Sequence, residues 1–274
     1  MNIIGLGKAG CAIADRFREY SQYNIFKIDV DITGDSCYSL KRQQGPEEYE
    51  QNAPNFKDFF GKIEGKTVFV MGGSGYVSAL SLCIIEQIKE TCDIMYIRPD
   101  TELLSGNKKL HERVTYNVLQ QYARSGAIGR VYLISNPEVE NIIGSVPIMG
   151  YHETLNEFIV STIHMINIFN NSEPIMGSQS APGDSRRVCT VGIYDIEKDE
   201  EKLFFSLDSM REMRYIYAVG ESALREDGGL HKKIVSQMKG KSSDETPNVS
   251  FGVYPTNYEE TYGYVLAYSP NIQN

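Results

Sequence analysis

The chain has 274 residues, 41% of them hydrophobic and 23% charged, which is the composition of a globular protein with one or two buried cores. The net charge of −9 argues against general binding to nucleic acid or to an anionic membrane, because both require an excess of basic side chains. No run of about 18 apolar residues could span a bilayer. The first residues read as a strand rather than a signal peptide, so we expect a cytoplasmic protein. The five cysteines are scattered without metal-ligand spacing, which predicts reduced thiols and no metal site.

Strand and helix patterns alternate through the first half of the chain. Strands are predicted at 2–5, 24–28, 67–70, 93–97 and 130–134, and helices at 10–21, 56–63, 77–89 and 109–125. Residues 33–55 are polar and contain two prolines, which predicts a loop with at most one short helix. The alternation predicts an α/β fold with a doubly wound, mostly parallel sheet. Ligands of such sheets bind at the carboxyl ends of the strands.

A long, mostly apolar helical pattern over 150–170 predicts a central buried helix. The turn-rich residues 170–185 follow it and indicate a domain boundary. Beyond them, strands are predicted at 188–196, 202–207, 214–219, 249–254 and 262–268, with one helix at 230–238. The predicted organisation is a first domain of residues 1–150, a central helix at 151–172 and a smaller second domain at 173–274, an α+β sandwich.

Two glycine-rich turns follow separate strands of the first domain. The first glycine turn (residues 5–10) has the G-x-G-x-x-G spacing of Gly5, Gly7 and Gly10, with Asp29 at the end of the next strand. The second glycine turn (residues 72–75) follows the strand at 67–70. A turn of this kind between strand and helix presents backbone N–H groups to an anion. One turn is typical of dinucleotide binding, whereas the pair indicates a longer phosphate chain.

Two asparagines extend this pattern. Asn136 directly follows the strand at 130–134, and Asn156 lies within the long helix, where an amide needs hydrogen-bond partners. An asparagine amide can pair with the edge of a purine or with a ribose. The chain contains no complete Walker A motif, which excludes a P-loop NTPase.

Taken in order, these segments resemble the tubulin/FtsZ family of guanine-nucleotide-binding filament proteins. The chain start is similar to the FtsZ opening, residues 45–48 to the family's G-x-D-P loop, and residues 66–75 to the strand and glycine signature of tubulin. Ile134-Ser135-Asn136 resembles the I-P-N-D motif, and Asn156 matches the central-helix residue that contacts guanine. Residues 249–252 and 264–267 are similar to paired strands of the second domain.

The resemblance implies a tubulin/FtsZ-like fold, GTP or GDP as the cofactor, and head-to-tail self-assembly or assembly with a related filament protein. It leaves open a requirement for Mg²⁺. The residues that it assigns to nucleotide binding are Gly5, Gly7, Lys8, Gly10, Cys11, Asp29, Gly45, Gly72, Gly73, Ser74, Gly75, Asn136 and Asn156.

Four departures from the family stand out, two of them being Ala12 in place of the FtsZ asparagine and Ser105 near the position of the family's ribose-contacting glutamate. The second glycine turn is also shorter, and the acidic N-x-D-F-A-D loop after the central helix is not recognisable. In the family, the acids of that loop reach the nucleotide of the next subunit and polarise the attacking water. Here Asp184 is the candidate catalytic acid, and GTP hydrolysis stays open. The short chain is typical of a divergent relative encoded by a phage or plasmid.

Two alternative functions stay open at this point. The chain could be a non-catalytic relative that caps or co-assembles with another filament, a reading motivated by the unrecognised catalytic loop. It could also be a nicotinamide-dependent oxidoreductase, in which Gly5, Gly7 and Gly10 hold the pyrophosphate and Asp29 the ribose.

Overall fold

The computed structural model describes residues 1–61, 63–88 and 92–274. It divides into two compact units, unit 1 (Met1–Val160) and unit 2 (Ser161–Asn274). The strands of unit 1 are β1 (Asn2–Leu6), β2 (Asn24–Val30), β3 (Cys37–Leu40), β4 (Thr67–Met71), β5 (Asp93–Arg98) and β6 (Val131–Ser135). Its helices are α1 (Gly7–Arg16), α2 (Pro46–Gln51), α3 (Lys57–Phe60), α4 (Ser81–Gln87), α5 (Asn107–Ser125) and α6 (Asn136–Ile143). Helix α7 (Tyr151–Asn170) continues from unit 1 into unit 2.

The six strands of unit 1 are all parallel, in the order β3-β2-β1-β4-β5-β6. Every residue of β1 and β4 is buried, as expected for central parallel strands covered on both faces. This confirms the predicted doubly wound α/β fold. The strand order changes direction between β1 and β4, so the topological switch point of the sheet lies between these two strands.

Unit 1 differs from the sequence prediction at three places. Strand β3 lies in the segment that was predicted as a loop. It is a short edge strand that pairs only with β2, and such a strand forms without a long apolar run. Helix α6 was not predicted, although Pro137 in its first turn suits a helix start. The helix predicted at 77–89 is a 3₁₀ turn (Tyr76–Leu80) followed by α4. Two residues of predicted helices, Lys89 of 77–89 and Lys62 of 56–63, lie outside the described residues.

Unit 2 contains one mixed sheet with helices. Its strands are β7 (Met176–Ser178), β8 (Val188–Asp195), β9 (Glu200–Leu203), β10 (Glu212–Gly220), β11 (Asn248–Thr256) and β12 (Tyr262–Ser269), and its further helices are α8 (Glu221–Glu226) and α9 (Leu230–Lys241). The strand order is β8-β12-β10-β11-β7, and β9 pairs with β8. Only β10 and β11 run parallel among the described strand pairs of this unit. The α+β composition follows the prediction, whereas β7 and α8 were not predicted.

A group of polar side chains, most of them buried or half-buried, ties β8, β9, β10 and α9 together. This tyrosine–lysine cluster consists of Tyr194, Asp199, Glu201, Tyr215 and Lys241. The Lys241 ammonium lies 2.7 Å from Asp199 Oδ1 and 2.6 Å from Glu201 Oε1. The Tyr194 hydroxyl donates to Asp199 at 2.6 Å, and the Tyr215 hydroxyl donates to Glu201 at 2.7 Å. Burial and these carboxylates raise the pKa of both tyrosines.

Candidate functional site

The carboxyl ends of the parallel strands bring the predicted site residues of unit 1 to one edge of its sheet, here called the carboxyl edge. Leu6 of β1 lies beside Ile28 of β2 and Met71 of β4 in the strand register. The next residues of β1 and β4 are therefore Gly7 and Gly72, so the two glycine turns are neighbours across the switch point. A crevice beside the switch point is where doubly wound sheets bind their ligands.

Three of the predicted glycines are required by packing within unit 1. A Cβ atom on Gly5 would lie 2.4 Å from the Gly10 carbonyl oxygen, and one on Gly10 would lie 2.2 Å from the Val70 carbonyl oxygen. On Gly73 it would lie 2.0 Å from the Tyr96 hydroxyl oxygen. These glycines let α1 approach β1 and β4, and let the second glycine turn approach β5. Their presence is explained without a ligand.

Two other glycines face open space. No described atom lies within 4 Å of the position that a Cβ would take on Gly7 or on Gly75. Gly7 has a φ of 69°, a backbone conformation that favours glycine on its own account. Gly75 has an ordinary φ of −90° and is exposed, so neither backbone nor packing within the described structure requires glycine there. Close approach of a ligand to the backbone is one physical reason for glycine at such a position.

The N-terminus of α1 is suited to an anion. Its N-cap residue Leu6 provides no side-chain hydrogen bond, and its first turn carries the exposed Lys8 and no acid. The free backbone N–H groups and the positive end of the helix dipole therefore point beyond β1 with no negative side chain against them. Helix α2 is different, because Glu47 and Glu48 lie in its first turn directly after Gly45. These acids disfavour direct phosphate contact at Gly45, although α2 packs against the 3₁₀ turn that follows Gly75.

Cys11 and Asp29 lie near the first glycine turn but differ in accessibility. The Cys11 thiol is buried, and its one proton is shared between the carbonyl oxygens of Gly5 at 3.4 Å and Ile28 at 3.5 Å. Burial and the charge of Asp29 raise the pKa of this thiol to about 12, so it is an uncharged packing group. Asp29 is half-buried near the end of β2, accepts a bond from the Val30 N–H at 2.8 Å, and has its pKa raised by burial.

The two predicted asparagines lie on helices that are tied to each other within unit 1. Asn136 is the first residue of α6, directly after β6, and Asn156 is in the second turn of α7. Both are half-buried. The hydroxyl of Tyr151, at the start of α7, donates to Glu140 of α6 at 2.6 Å. This bond, with burial, raises the pKa of Tyr151 to about 12 and fixes the first turn of α7 against α6.

Asp184 lies in unit 2, exposed, in the loop between β7 and β8. This loop is held by the buried Glu212, which accepts a bond from the Gly183 N–H at 3.3 Å and pairs with Arg186. Another acid lies closer to the central helix in sequence. Glu173 is exposed and comes three residues after Asn170, where α7 ends. The sequence prediction did not include Glu173 because the full N-x-D-F-A-D motif is absent, although Asn171-Ser172-Glu173 has an asparagine and an acid at the same spacing.

Lys41 and Arg42 form a basic pair that the sequence prediction did not assign to the site. They follow Leu40 at the end of β3, which pairs in parallel with Val30 of β2, so they lie at the carboxyl edge. Both are exposed, and Arg42 forms an ion pair with Asp31. In the sequence, this pair appears only as two adjacent basic residues in a polar segment. Its position at the carboxyl edge follows from strand β3, which the sequence did not predict.

The described residues contain neither a metal-ligand cluster nor a membrane-spanning helix. Within residues 1–61, 63–88 and 92–274, no group of three or more His, Cys, Asp or Glu side chains is arranged to hold a metal ion. Among the same residues, no helix has both the length and the apolar composition needed to cross a membrane.

A six-stranded parallel sheet with two glycine turns at its switch point defines an α/β protein of the doubly wound class. No protein-family model matches the chain, and no curated protein matches it in sequence. Solved structures do match. The GTPγS-form protofilament of TubZ from Bacillus thuringiensis serovar israelensis is 16% identical with a TM-score of 0.70, over 97% of this chain and 86% of that one.

Two other solved structures are similar over almost the whole chain. The empty FtsZ dimer of M. jannaschii is 12% identical with a TM-score of 0.66, over 98% of this chain and 87% of that one. The GTPγS-bound protofilament of CetZ2 from Haloferax volcanii is 12% identical with a TM-score of 0.66, over 97% and 92%. The chain therefore has the tubulin/FtsZ-like fold, as the sequence resemblance implied. These matches do not favour the nicotinamide-dependent alternative.

Proposed function

We propose that the chain binds a guanine nucleotide at the carboxyl edge of unit 1 and assembles head to tail into filaments in the cytoplasm. The observation that carries the nucleotide proposal is the position of Gly75. Neither its backbone conformation nor its packing requires a glycine, and its turn lies beside the N-terminus of α1, which has no side-chain cap. A phosphate chain needs such N–H donors from more than one turn.

In this proposal the backbone of both glycine turns and Lys8 hold the phosphates. Asn136 and Asn156 read the base and ribose, supported by the resemblance and by the bond that ties α6 to α7. Asp29 stands beside the first glycine turn as an acceptor for a hydroxyl. Gly5, Gly10, Gly73 and Cys11 act through packing. Whether Mg²⁺ accompanies the nucleotide is part of the test below.

Head-to-tail assembly is supported by the fold and by exposed apolar side chains. The similar TubZ and CetZ2 structures are described as protofilaments, and a TubZ four-stranded filament is also similar to this chain. Leu103, Ile148 and Met149 of unit 1 are 82%, 94% and 90% exposed, which suits burial by another molecule. A head-to-tail contact is heterologous and therefore gives an open filament.

Hydrolysis requires an acid that positions the attacking water. The resemblance assigns this acid to the loop that follows the central helix and acts on the nucleotide of the next subunit. Glu173 lies three residues after the end of α7, which supports Glu173 as this acid. Asp184 is a weaker candidate because it lies 14 residues after Asn170, in a loop held by Glu212. We propose that Glu173 supplies the acid and that Asp184 is dispensable.

Nucleotide binding is tested by calorimetry with GTP, GDP, guanosine and NADH, with and without Mg²⁺. We expect GTP binding that weakens about tenfold or more in Gly75→Val, because the side chain enters the space of the phosphates. Gly228→Val is the matched control, because Gly228 is also exposed and has no described atom within 4 Å of a Cβ. Equal losses in both variants, or binding of NADH instead of GTP, would contradict the proposal.

Assembly and hydrolysis are tested together by pelleting and phosphate release. We expect GTP-dependent pelleting of the wild type and a turnover rate that falls about 10²-fold in Glu173→Gln, with Asp184→Asn unchanged. Pelleting without phosphate release in the wild type would favour the non-catalytic reading. Pelleting only in mixtures with a related filament protein would favour co-assembly over self-assembly.

A further inference from the structure

We propose that Ser78 and Tyr96 are positioning residues that fix the backbone of the second glycine turn in the shape that receives phosphate. This inference rests on the proposed nucleotide function and adds residues that neither the sequence motifs nor the resemblance assign to the site. It explains how a turn with fewer glycines than the tubulin signature can still present a defined set of N–H groups.

Ser78 braces the turn from its own chain. It is buried in the 3₁₀ turn that follows Gly75, and its hydroxyl lies 2.6 Å from the Gly75 carbonyl oxygen and 3.1 Å from the Gly73 carbonyl oxygen. A hydroxyl has one proton, so it is shared between the two carbonyls. The Ser78 N–H also donates to the Gly75 oxygen at 3.1 Å. Two of the four carbonyls of the turn, those of Gly73 and Gly75, are thereby held toward Ser78.

Tyr96 supports the same turn from β5. Its hydroxyl occupies the space where a Cβ of Gly73 would lie, 2.0 Å from that position, so the turn rests directly on this side chain. The hydroxyl donates to Glu112 of α5, whose backbone oxygen and Oε1 lie 3.3 Å and 3.2 Å away. Burial and the charge of Glu112 raise the pKa of Tyr96 well above its usual value, so the hydroxyl stays protonated as a donor.

Glu112 is itself fixed, so the support does not depend on one bond. Only 2% of its side chain is exposed, and Arg98 Nε lies 3.3 Å from its Oε1. The Arg98 guanidinium lies over the Tyr116 ring at 4.1 Å, which holds its orientation. Such a network around a buried carboxylate is rigid because a lost bond leaves a buried polar group without a partner.

The consequence for binding follows from these contacts. A turn with two of its carbonyls fixed loses less conformational freedom when its N–H groups bind phosphate, and preorganisation of this kind raises affinity. The effect should be confined to the phosphates, because the base is read elsewhere. Loss of the Ser78 hydroxyl should therefore weaken binding of GTP and leave binding of guanosine unchanged.

The first test compares Ser78→Ala with Ser78→Thr and Ser81→Ala. We expect GTP affinity to fall about tenfold in Ser78→Ala, with the affinity for guanosine unchanged and with faster amide hydrogen exchange at residues 72–78. Threonine keeps the hydroxyl and should restore binding. Ser81 is a buried serine that makes no hydrogen bond to the turn in the described structure, so its alanine variant should bind like the wild type.

The second test uses the contact between Gly73 and Tyr96. Gly73→Ala should bind GTP weakly because its methyl group displaces the Tyr96 ring, and Tyr96→Phe should partly restore this variant because it removes the nearest atom. Additive losses in the double variant would overturn the support by Tyr96. If the wild type binds GTP and Ser78→Ala binds it equally well, this inference fails and the proposed function stands. If the wild type does not bind GTP, both fail.

Discussion

In unit 2, the tyrosine–lysine cluster satisfies its own polar groups, whereas at the carboxyl edge of unit 1 helix α1 begins without a side-chain cap. Lys241 pairs with both Asp199 and Glu201, and each carboxylate also accepts a bond from a tyrosine. Helix α1, in contrast, begins with no side-chain cap and no acid in its first turn. The polar groups of the cluster are therefore paired within unit 2, whereas the carboxyl edge is where we propose that a ligand binds.

The same comparison separates the glycines of unit 1. Gly5, Gly10 and Gly73 are packed against backbone or a rigid side chain, so substitution there should change stability first. Gly75 faces open space, so substitution there should change binding first. The two glycine turns therefore contain glycines with two physical roles, and the neighbours of each Cβ position distinguish these roles.

The largest expected effect comes from Gly10→Ala. Its methyl group would lie 2.2 Å from the Val70 carbonyl oxygen, and a backbone atom of a central strand cannot move aside cheaply. We expect the free energy of unfolding to fall by about 3 kcal/mol, measured by denaturant unfolding. Gly240→Ala is the control, because Gly240 lies in α9 with open space at its Cβ position. This variant should be slightly more stable than the wild type, since alanine favours a helix more than glycine does. Equal stability of both variants would contradict the packing role.

The next effect should come from Lys241→Met, which removes the cation of the tyrosine–lysine cluster. Asp199 and Glu201 would then lose their charge partner while staying partly buried. We expect a loss of about 2 kcal/mol, below the range for fully buried pairs because the Asp199 side chain is 43% exposed. The affinity for GTP should not change. An unchanged unfolding midpoint would show that the cluster contributes no net stability.

Alkaline pH should destabilise unit 1 through its buried thiols. Burial raises the pKa of Cys11 and Cys92 from 9.0 to about 12. Because the pKa is higher in the folded than in the unfolded protein, each thiol's contribution to the free energy of unfolding is fully present below pH 9. It is lost as the pH rises from 9 toward 12, by about 1.4 kcal/mol per pH unit for each thiol. The free energy of unfolding between pH 8 and 10 should thus fall less steeply in a Cys11→Ala/Cys92→Ala variant. Parallel curves for variant and wild type would contradict this assignment.

The sequence allowed the carboxyl edge to be predicted because its signals are local. Apolar runs placed β1 and β4, and the glycine spacing placed the two turns directly after them. The braces of the second turn could not be predicted, because Tyr96 and Glu112 reach Gly73 only through the packing of β5 and α5. Strand β3 was missed for a related reason. It is a short edge strand in a polar segment, and pairing with β2 rather than local composition makes it a strand.

The smallest effect on stability should come from Arg42→Gln. This variant tests whether the carboxyl edge attracts an anionic ligand. Arg42 and its partner Asp31 are both exposed, and a pair of this kind adds little to stability, so the unfolding midpoint should not change. An exposed cation at the carboxyl edge attracts an anionic ligand, so association with GTP should slow at low salt and match the wild type at high salt. Arg225→Gln is the matched control, since Arg225 is an exposed, ion-paired arginine of unit 2. If both variants slow association equally, net charge rather than position explains the effect, and Arg42 has no particular part in the site.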